Sequence, residues 1–135
     1  MKTKLLVVGA VISLIAIGII ILRAFNYMDT SFATMVSIKY YYDDIKIDVV
    51  VTDEDDMRII KENLTGVSFA DNPSCGFDLD VSISFSDGEK EIVICPACDS
   101  CWTARIGDSG RYIAINDRKV LEAVLAKYGM TFPCV

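Results

Sequence analysis

Cysteine is the residue type best suited to chemistry in this chain. The 135 residues include five cysteines and no histidine. Three of them, Cys95, Cys98 and Cys101, fall in the run Cys-Pro-Ala-Cys-Asp-Ser-Cys, and the others are Cys75 and Cys134. The absence of histidine excludes Ser-His-Asp and Cys-His nucleophiles and every metal site with a histidine ligand. No pair of acid and base groups replaces them, so we expect no catalytic residue and no enzymatic activity.

Structural disulfides and a structural metal are two interpretations of these cysteines. Disulfides drawn from all five positions suit a small domain outside the cytoplasm, where each bridge contributes about 2–4 kcal/mol. A zinc ion held by four thiolates is the alternative, with Cys75, Cys95, Cys98 and Cys101 as its ligands. A zinc ribbon would carry glycine where Asp99 stands, and it would need a second C-x-x-C pair, which this sequence lacks.

Redox chemistry is a third interpretation. Cys95-Pro96-Ala97-Cys98 follows a strand, as the dithiol of thioredoxin-like proteins does. The residues after it lack a helical pattern, so no helix N-terminus is expected to lower the thiol pKa. An iron–sulfur cluster would also suit the spacing, but such clusters are unusual outside the cytoplasm. We therefore expect no cofactor, with zinc as the alternative.

The hairpin before this run predicts which other cysteine lies beside it. Two stretches of alternating apolar and polar residues flank Asp87-Gly88, a dipeptide typical of tight turns. A turn of two residues pairs Ser86 with Glu89. Continuing that register puts Cys75 next to Cys101 and brings four of the five cysteines to one end of the hairpin.

Periodicity predicts the elements that carry these residues. Alternation on both sides of Asp43-Asp44 predicts a hairpin over 36–51. Helical spacing follows the acidic run 53–56, whose carboxylates suit the positive end of a helix dipole, and a second helix follows Asn116. With the strands between them, the order ββαββββα predicts an α+β domain, an antiparallel sheet with two helices on one face.

A single apolar segment precedes this domain. Residues 5–22 hold eighteen residues without a charge, which at the helical rise span about 27 Å and predict a transmembrane signal-anchor helix. The alternative is a cleaved signal peptide, with Ser31-Phe32-Ala33 as the nearest small-x-small site. The predicted organisation is a cytoplasmic tail at 1–4, the helix at 5–22, a juxtamembrane linker at 23–34 and an extracytoplasmic domain at 35–135.

Charge limits the partners of that domain. From Ala24 onward, ten lysine and arginine residues stand against nineteen aspartate and glutamate residues, a net charge of −9. An acidic domain repels nucleic acid, so no nucleic-acid partner is expected. Basic peptides, cations and basic proteins remain compatible with it.

Three strings in the sequence carry a resemblance. They are Cys75-Gly76-Phe77-Asp78, the Cys-Pro-Ala-Cys-Asp-Ser-Cys run, and the closing segment from Lys127 to Cys134. Together with the Ser-Asp-Gly turn they resemble a group of small membrane-anchored proteins of Gram-positive anaerobes, loosely over residues 36–135. The resemblance implies a location at the cell envelope, and no catalytic or binding residue is carried over from it.

The sequence therefore predicts a single-pass protein of the cell membrane, held there by residues 5–22, with its C-terminal domain outside. The expected function is non-enzymatic binding of an envelope protein or peptide. A thiol- or metal-dependent module at Cys75, Cys95, Cys98 and Cys101 is the alternative.

Overall fold

The computed structural model describes the main chain of residues 2–134 and the side chains of residues 7–22 and 26–134. Its elements, in chain order, are α1 (Lys2–Phe25), β1 (Tyr27–Met28), β2 (Met35–Tyr42), β3 (Ile45–Val51), α2 (Glu54–Asn63), β4 (Gly66–Val67), β5 (Phe69–Ala70), β6 (Val81–Ser86), β7 (Glu91–Pro96), β8 (Thr103–Ile106), β9 (Arg111–Ala114) and α3 (Arg118–Lys127).

Seven strands form one antiparallel sheet in the order β3-β2-β6-β7-β8-β9-β5, and β1 and β4 form a separate pair. Helix α2 with its C-cap contributes Ile60 and Leu64, and α3 contributes Leu121 and Leu125, to the same buried cluster as the inward residues of the sheet. The two helices therefore pack on one face of the sheet. The α+β class and the antiparallel sheet predicted from periodicity are confirmed.

The first hairpin has the predicted register because the hydrophobic alternation and the turn agree. Val36 pairs with Val51, and the pairing continues to Tyr42 and Ile45. Asp43 adopts φ 54°, a left-handed conformation that aspartate tolerates better than most residues. The register leaves Val36, Ile38 and Tyr40 of β2 facing the core.

The second hairpin has a longer turn than the sequence predicted. Ser86 pairs with Glu91 rather than with Glu89, so the loop has four residues. The Asp87 carboxylate explains it, since it accepts hydrogen bonds from the amides of Glu89 (3.0 Å) and Lys90 (2.8 Å). The shift is two residues, and because side chains alternate with a period of two, every residue keeps its predicted face.

Helix α3 begins one residue later than predicted. Asp117, not Asn116, is the N-cap, and its carboxylate accepts from the amide of Val120. Asn116 instead donates from its side-chain amide to the carbonyl oxygens of Glu62 (2.6 Å) and Thr65 (3.3 Å). It thereby satisfies carbonyl groups at the end of α2, which that helix leaves without intrahelical partners.

Helix α1 presents a continuous apolar surface. Its large apolar side chains between Val7 and Leu22 are 49% to 69% exposed. No helix in the described part of the chain is both long enough and apolar enough to cross a membrane. The predicted span 5–22 starts with Leu5 and Leu6, whose side chains lie outside the described residues.

The segment after α1, predicted as a linker, is held against the domain. β1 pairs with β4 through Tyr27 and Val67. Arg111 donates to the side-chain oxygen of Asn26 (2.8 Å) and to the carbonyl of Ser68 (2.9 Å), and the Ser68 amide donates to the Asn26 carbonyl (2.7 Å). These bonds fix the end of α1 relative to the sheet.

Candidate functional site

The cysteine-rich loop, residues 95–101, is joined to Cys75 by a disulfide. The sulfur atoms of Cys75 and Cys101 are 2.01 Å apart and link residues 26 positions apart in the chain. The structure thus joins the two cysteines that the sequence placed side by side. The exposed side chain of Trp102 lies directly after the bridge.

Arg118 organises the loop that contains this bridge. Its guanidinium donates to the carbonyl oxygens of Ala97 (2.9 Å), Asp99 (2.7 Å) and Cys101. It also pairs with Glu122 at 2.6 Å, and only 3% of the residue is exposed. A buried arginine with this many acceptors holds three loop carbonyls in place, of which that of Ala97 is buried.

Cys98 and Cys134 form a second contact within the cluster. The Cys134 amide donates to the Cys98 carbonyl at 2.9 Å, and the Cys134 thiol lies 3.8 Å from the same oxygen. Both side chains are buried within the main core.

Cys95 does not belong to the main core cluster that contains Cys98 and Cys134. It pairs with Arg105 in the sheet and contacts the Gly107 carbonyl at 4.0 Å. Arg105 in turn stacks over Phe77, whose ring centroid is 5.8 Å from the guanidinium carbon. Cys95 is fully buried in this position.

The free thiols are poorly suited to nucleophilic chemistry in this fold. Burial raises the pKa of Cys95 and of Cys98. Burial and the hydrogen bond to Cys98 raise the pKa of Cys134 to about 12. The thiolate is the reactive form, so these environments suppress the reactivity that a dithiol catalyst would need.

The four predicted metal ligands do not converge. Among the described residues, one set of three potential ligands lies within 4.8 Å of one another: Cys75, Asp99 and Cys101. Two of its members are the bonded cysteines, and a disulfide sulfur carries no thiolate charge for a metal. The set matches zinc chemistry only after the bridge is reduced.

A second feature is a pocket of about 620 Å³ between helix α2 and residues 29–34. Its lining includes Met57, Arg58 and Lys61 from the helix and Ala33 and Thr34 from the opposite wall. This volume lies within the range of about 300–1,000 Å³ that is common for ligand sites.

Specific hydrogen bonds fix the two walls of this pocket. The fully buried Thr30 donates from its hydroxyl to the Lys61 carbonyl at 3.0 Å. Lys61 donates from its ammonium group to the Ala33 carbonyl. Thr65, just beyond the helix, donates to the Met28 carbonyl at 2.6 Å. The walls are therefore joined at both ends, and the pocket is part of the folded structure.

Some of the charged side chains at the pocket form ion pairs with described residues, and others do not. Arg58 pairs with Asp55 (3.1 Å) and Glu62 (3.4 Å). Glu54 also lines the pocket, is exposed, and has no ion pair among the described residues. Hydrogen bonds from the Ser31 side chain and from the Ser31 amide, the latter at 2.8 Å, lower the pKa of the Asp29 carboxyl group. Among the described residues, no lysine or arginine is bonded to the carboxylates of Glu54 and Asp29 at the pocket.

Sequence reasoning missed Arg118, the pairing of Cys98 with Cys134, and the pocket wall at 29–34. Arg118 left a signal, because a cation in the first turn of a helix opposes the dipole and indicates that the side chain is engaged elsewhere. The pocket wall left none, since its residues carry no periodic pattern.

No family model, no curated protein sequence and no solved structure matches this chain.

Proposed function

We propose that this protein is a non-enzymatic binding module of the cell envelope, tethered by α1, which binds a positively charged peptide segment between α2 and residues 29–34. The observation that carries the proposal is the pocket of about 620 Å³, whose two walls are joined by hydrogen bonds. A preformed site costs little ordering when a ligand binds.

The charge of the module supports a cationic ligand. The chain from Ala24 onward carries a net charge of −9. Glu54 and Asp29 are the pocket carboxylates without a bonded cation, so they would pair with lysine or arginine side chains of a ligand. Met57 lines the same pocket and offers an apolar contact. This combination suits a peptide that alternates basic and apolar residues.

The proposed tether is α1, and its exposed apolar side chains support it. Such a surface is unfavourable in water and is buried in a bilayer or against another protein. Tyr27, Val67 and Phe69 are also exposed and lie where α1 meets the domain. Aromatic residues in such positions favour the membrane interface. The disulfide and the two lysines at the start of α1, Lys2 and Lys4, support a domain outside the cytoplasm.

Binding of a labelled peptide to the full chain in neutral detergent micelles tests the ligand site. The probe is a fluorescein-labelled peptide of lysine and leucine, and its glutamate counterpart is the comparison. We expect the lysine peptide to bind and the glutamate peptide not to bind. Glu54→Lys should weaken the lysine peptide at least ~10-fold, because it removes the unpaired carboxylate and adds a like charge.

Asp44→Lys is the matched control, since it makes the same charge change at an exposed turn at the far end of β2. That end lies about 23 Å from Thr34, well beyond the screening length in physiological salt. We expect Asp44→Lys to change the affinity less than ~2-fold. Thr34→Trp should block binding sterically without changing the charge. Equal effects of the two lysine variants, together with no effect of Thr34→Trp, would show non-specific attraction and overturn the proposal.

Metal binding is the second candidate function, favoured by the set Cys75, Asp99 and Cys101. Two thiolates and one carboxylate suit zinc once the bridge is reduced. Reduced protein should then retain about one equivalent of zinc after desalting, while Asp99→Asn should retain less. Loss of all zinc from the reduced wild type during desalting would remove this candidate.

A further inference from the structure

The C-terminal segment after α3 is held to the domain by successive contacts. Gly129, with φ 87°, ends the helix, and Met130 is fully buried. The Tyr40 hydroxyl donates to the Thr131 carbonyl at 3.0 Å. Phe132 lies under Arg118, whose guanidinium carbon is 5.0 Å from the ring centroid. These contacts determine where the penultimate residue lies.

Arg118 supports both Cys98 and Cys134, which form the next contact along the C-terminal segment. Arg118 binds the loop carbonyls on either side of Cys98, at Ala97 and Asp99, and stacks on the ring two residues before Cys134. The Cys98 amide also donates to the Gly76 carbonyl at 2.8 Å, which fixes the loop from its other side. Both cysteines are therefore positioned by the surrounding fold.

The backbone separation of the two cysteines suits a covalent bond. The Cys134 amide donates to the Cys98 carbonyl at 2.9 Å, the kind of main-chain bond that joins neighbouring strands, although neither residue lies in a strand. Residues joined in this way across strands have Cα atoms about 5.5 Å apart, and disulfides accept Cα separations of about 4.4–6.8 Å. The Cys134 sulfur also lies 3.8 Å from the Cys98 carbonyl oxygen, so this side chain is directed at Cys98 and a bond between the two sulfur atoms requires little backbone movement.

We propose that Cys98 and Cys134 are a site of oxidative modification and form a second disulfide, which ties the C-terminus to the cysteine-rich loop. Cys95 is then the one free thiol. The proposal concerns the end of the domain with the cysteine-rich loop and does not depend on the ligand of the pocket.

The bond forms by two thiol–disulfide exchanges with a low-molecular-weight disulfide such as oxidised glutathione. The thiolate of one cysteine attacks the reagent and releases one glutathione thiol. The thiolate of the other cysteine then displaces the second. Two protein thiols lose two protons and two electrons, and one glutathione disulfide becomes two glutathione thiols. Burial of both thiols in the finished fold means that the first exchange takes place during folding, before the C-terminal segment docks, and the second takes place as docking brings Cys134 to Cys98.

Trypsin makes the pairing directly readable. Cleavage after Lys61, Lys90, Arg105 and Lys127 leaves Cys75 in peptide 62–90, Cys134 in peptide 128–135, and the other three cysteines in peptide 91–105. The full chain is refolded in micelles with oxidised and reduced glutathione, treated with N-ethylmaleimide in denaturant, and digested. We expect one product in which all three peptides are joined by two disulfides, with one maleimide on Cys95.

Two variants distinguish the possible partners of Cys134. Cys98→Ser should release peptide 128–135 carrying a maleimide, whereas Cys95→Ser should leave the three peptides joined. Release of the alkylated peptide 128–135 from the wild type would overturn the proposal. Loss of the linked product in Cys95→Ser but not in Cys98→Ser would overturn it as well. The wild-type fragment spectrum locates the bond by itself if a variant fails to fold.

Thermal unfolding provides an independent readout. Cys134→Ser should lower Tm by on the order of 10 °C under oxidising conditions. With reductant the difference from the wild type should largely disappear, because the wild type then lacks the bridge as well. A difference of the same size in both conditions would show that Cys134 contributes packing alone, which contradicts the proposal.

Discussion

Single side chains fix the parts of this molecule that periodicity does not determine. Arg118 is the main example, because it gathers three carbonyl oxygens of the cysteine-rich loop and supports the C-terminal segment through Phe132. Its position in the first turn of α3 opposes the helix dipole, so the loop contacts must outweigh that cost. We infer that this residue sets the conformation of the loop.

Arg118→Ala should therefore lower the free energy of unfolding by about 3 kcal/mol, because it leaves the buried Ala97 carbonyl without this donor and removes the bonds to Asp99 and Cys101 and the ion pair with Glu122. Arg118→Lys should recover part of this loss, since an ammonium group cannot reach all the acceptors with the geometry of a guanidinium. Urea unfolding measures both. Lys119→Ala, at the exposed neighbouring position, is the control and should change the value by less than about 0.5 kcal/mol.

Asp56 joins the two helices through its carboxylate, which accepts from Lys127 (2.5 Å) and from the Tyr128 hydroxyl (3.0 Å). The hydrogen bond to Lys127 lowers the pKa of Asp56 below its ordinary value of 3.8. Burial and the contact with Asp56 raise the pKa of Tyr128 to about 12. The pair of helices is therefore held by a carboxylate that must stay ionised.

This lowered pKa predicts how stability depends on pH. The unfolded chain takes up the proton first, so the contribution of Asp56 is complete above pH 3.8 and is lost as the pH falls through the lower folded pKa. The wild type should be more stable than Asp56→Asn at neutral pH, and the difference should narrow below about pH 4. Asp44→Asn, at an exposed turn, should show no comparable change. A difference between the wild type and Asp56→Asn that is constant from pH 7 to pH 3 would contradict the ion-pair account.

The sequence predicts an element correctly where its hydrophobic period and its turn residues indicate the same structure. Where the two do not determine one arrangement, the prediction fails. The hairpin of β2 and β3 was predicted with its register because Asp43-Asp44 leaves one arrangement that buries Val36, Ile38 and Tyr40. The β6–β7 register was wrong by two residues because one carboxylate stabilised a longer turn.

Sequence patterns do not predict the packed segments at 29–34 and 129–134. Neither has a repeating pattern, and each is held by individual contacts with residues far away in the chain, such as Thr30 with Lys61 and Tyr40 with Thr131. Tertiary contacts of this kind leave no local signal in a sequence. The pocket and the C-terminal contact were consequently out of reach of sequence reasoning.

A substitution at the end of α3 tests the role of Gly129. Gly129 has φ 87°, and a Cβ atom there would lie 2.7 Å from the Cδ1 atom of Ile47. Gly129→Ala should therefore lower the free energy of unfolding by about 1–3 kcal/mol through backbone strain and the displaced side chain. Gly110→Ala is the matched control, because nothing lies within 4 Å of its Cβ position. Equal stability of the two variants would contradict this role of Gly129.

The molecule as a whole combines an acidic domain with an apolar helix fixed to it. Arg111, Asn26 and Ser68 join the two, so the pocket, which begins three residues after Asn26, stays close to the end of α1. A module attached in this way would hold its pocket close to the membrane surface. Cationic segments of other envelope proteins would meet the pocket there.

Membrane attachment by α1 can be tested with charge substitutions. The full chain should remain with the membranes when they are washed with alkaline carbonate. Val11→Arg combined with Ile15→Arg should release it, since each charge near the centre of a spanning helix costs about 2.5–3.5 kcal/mol. Asp44→Arg combined with Asp108→Arg adds the same residues to the domain and should not release it. Retention of the α1 variant would contradict the tether.

Hydrogen exchange locates the bound peptide on the chain and so tests whether a cationic peptide binds between α2 and residues 29–34. Exchange is measured on the full chain in micelles with and without the lysine–leucine peptide at saturating concentration. Protection should increase at residues 29–34 and 54–65 and remain unchanged in the 95–101 loop. Protection that appears elsewhere, or none at these two segments, would contradict the account.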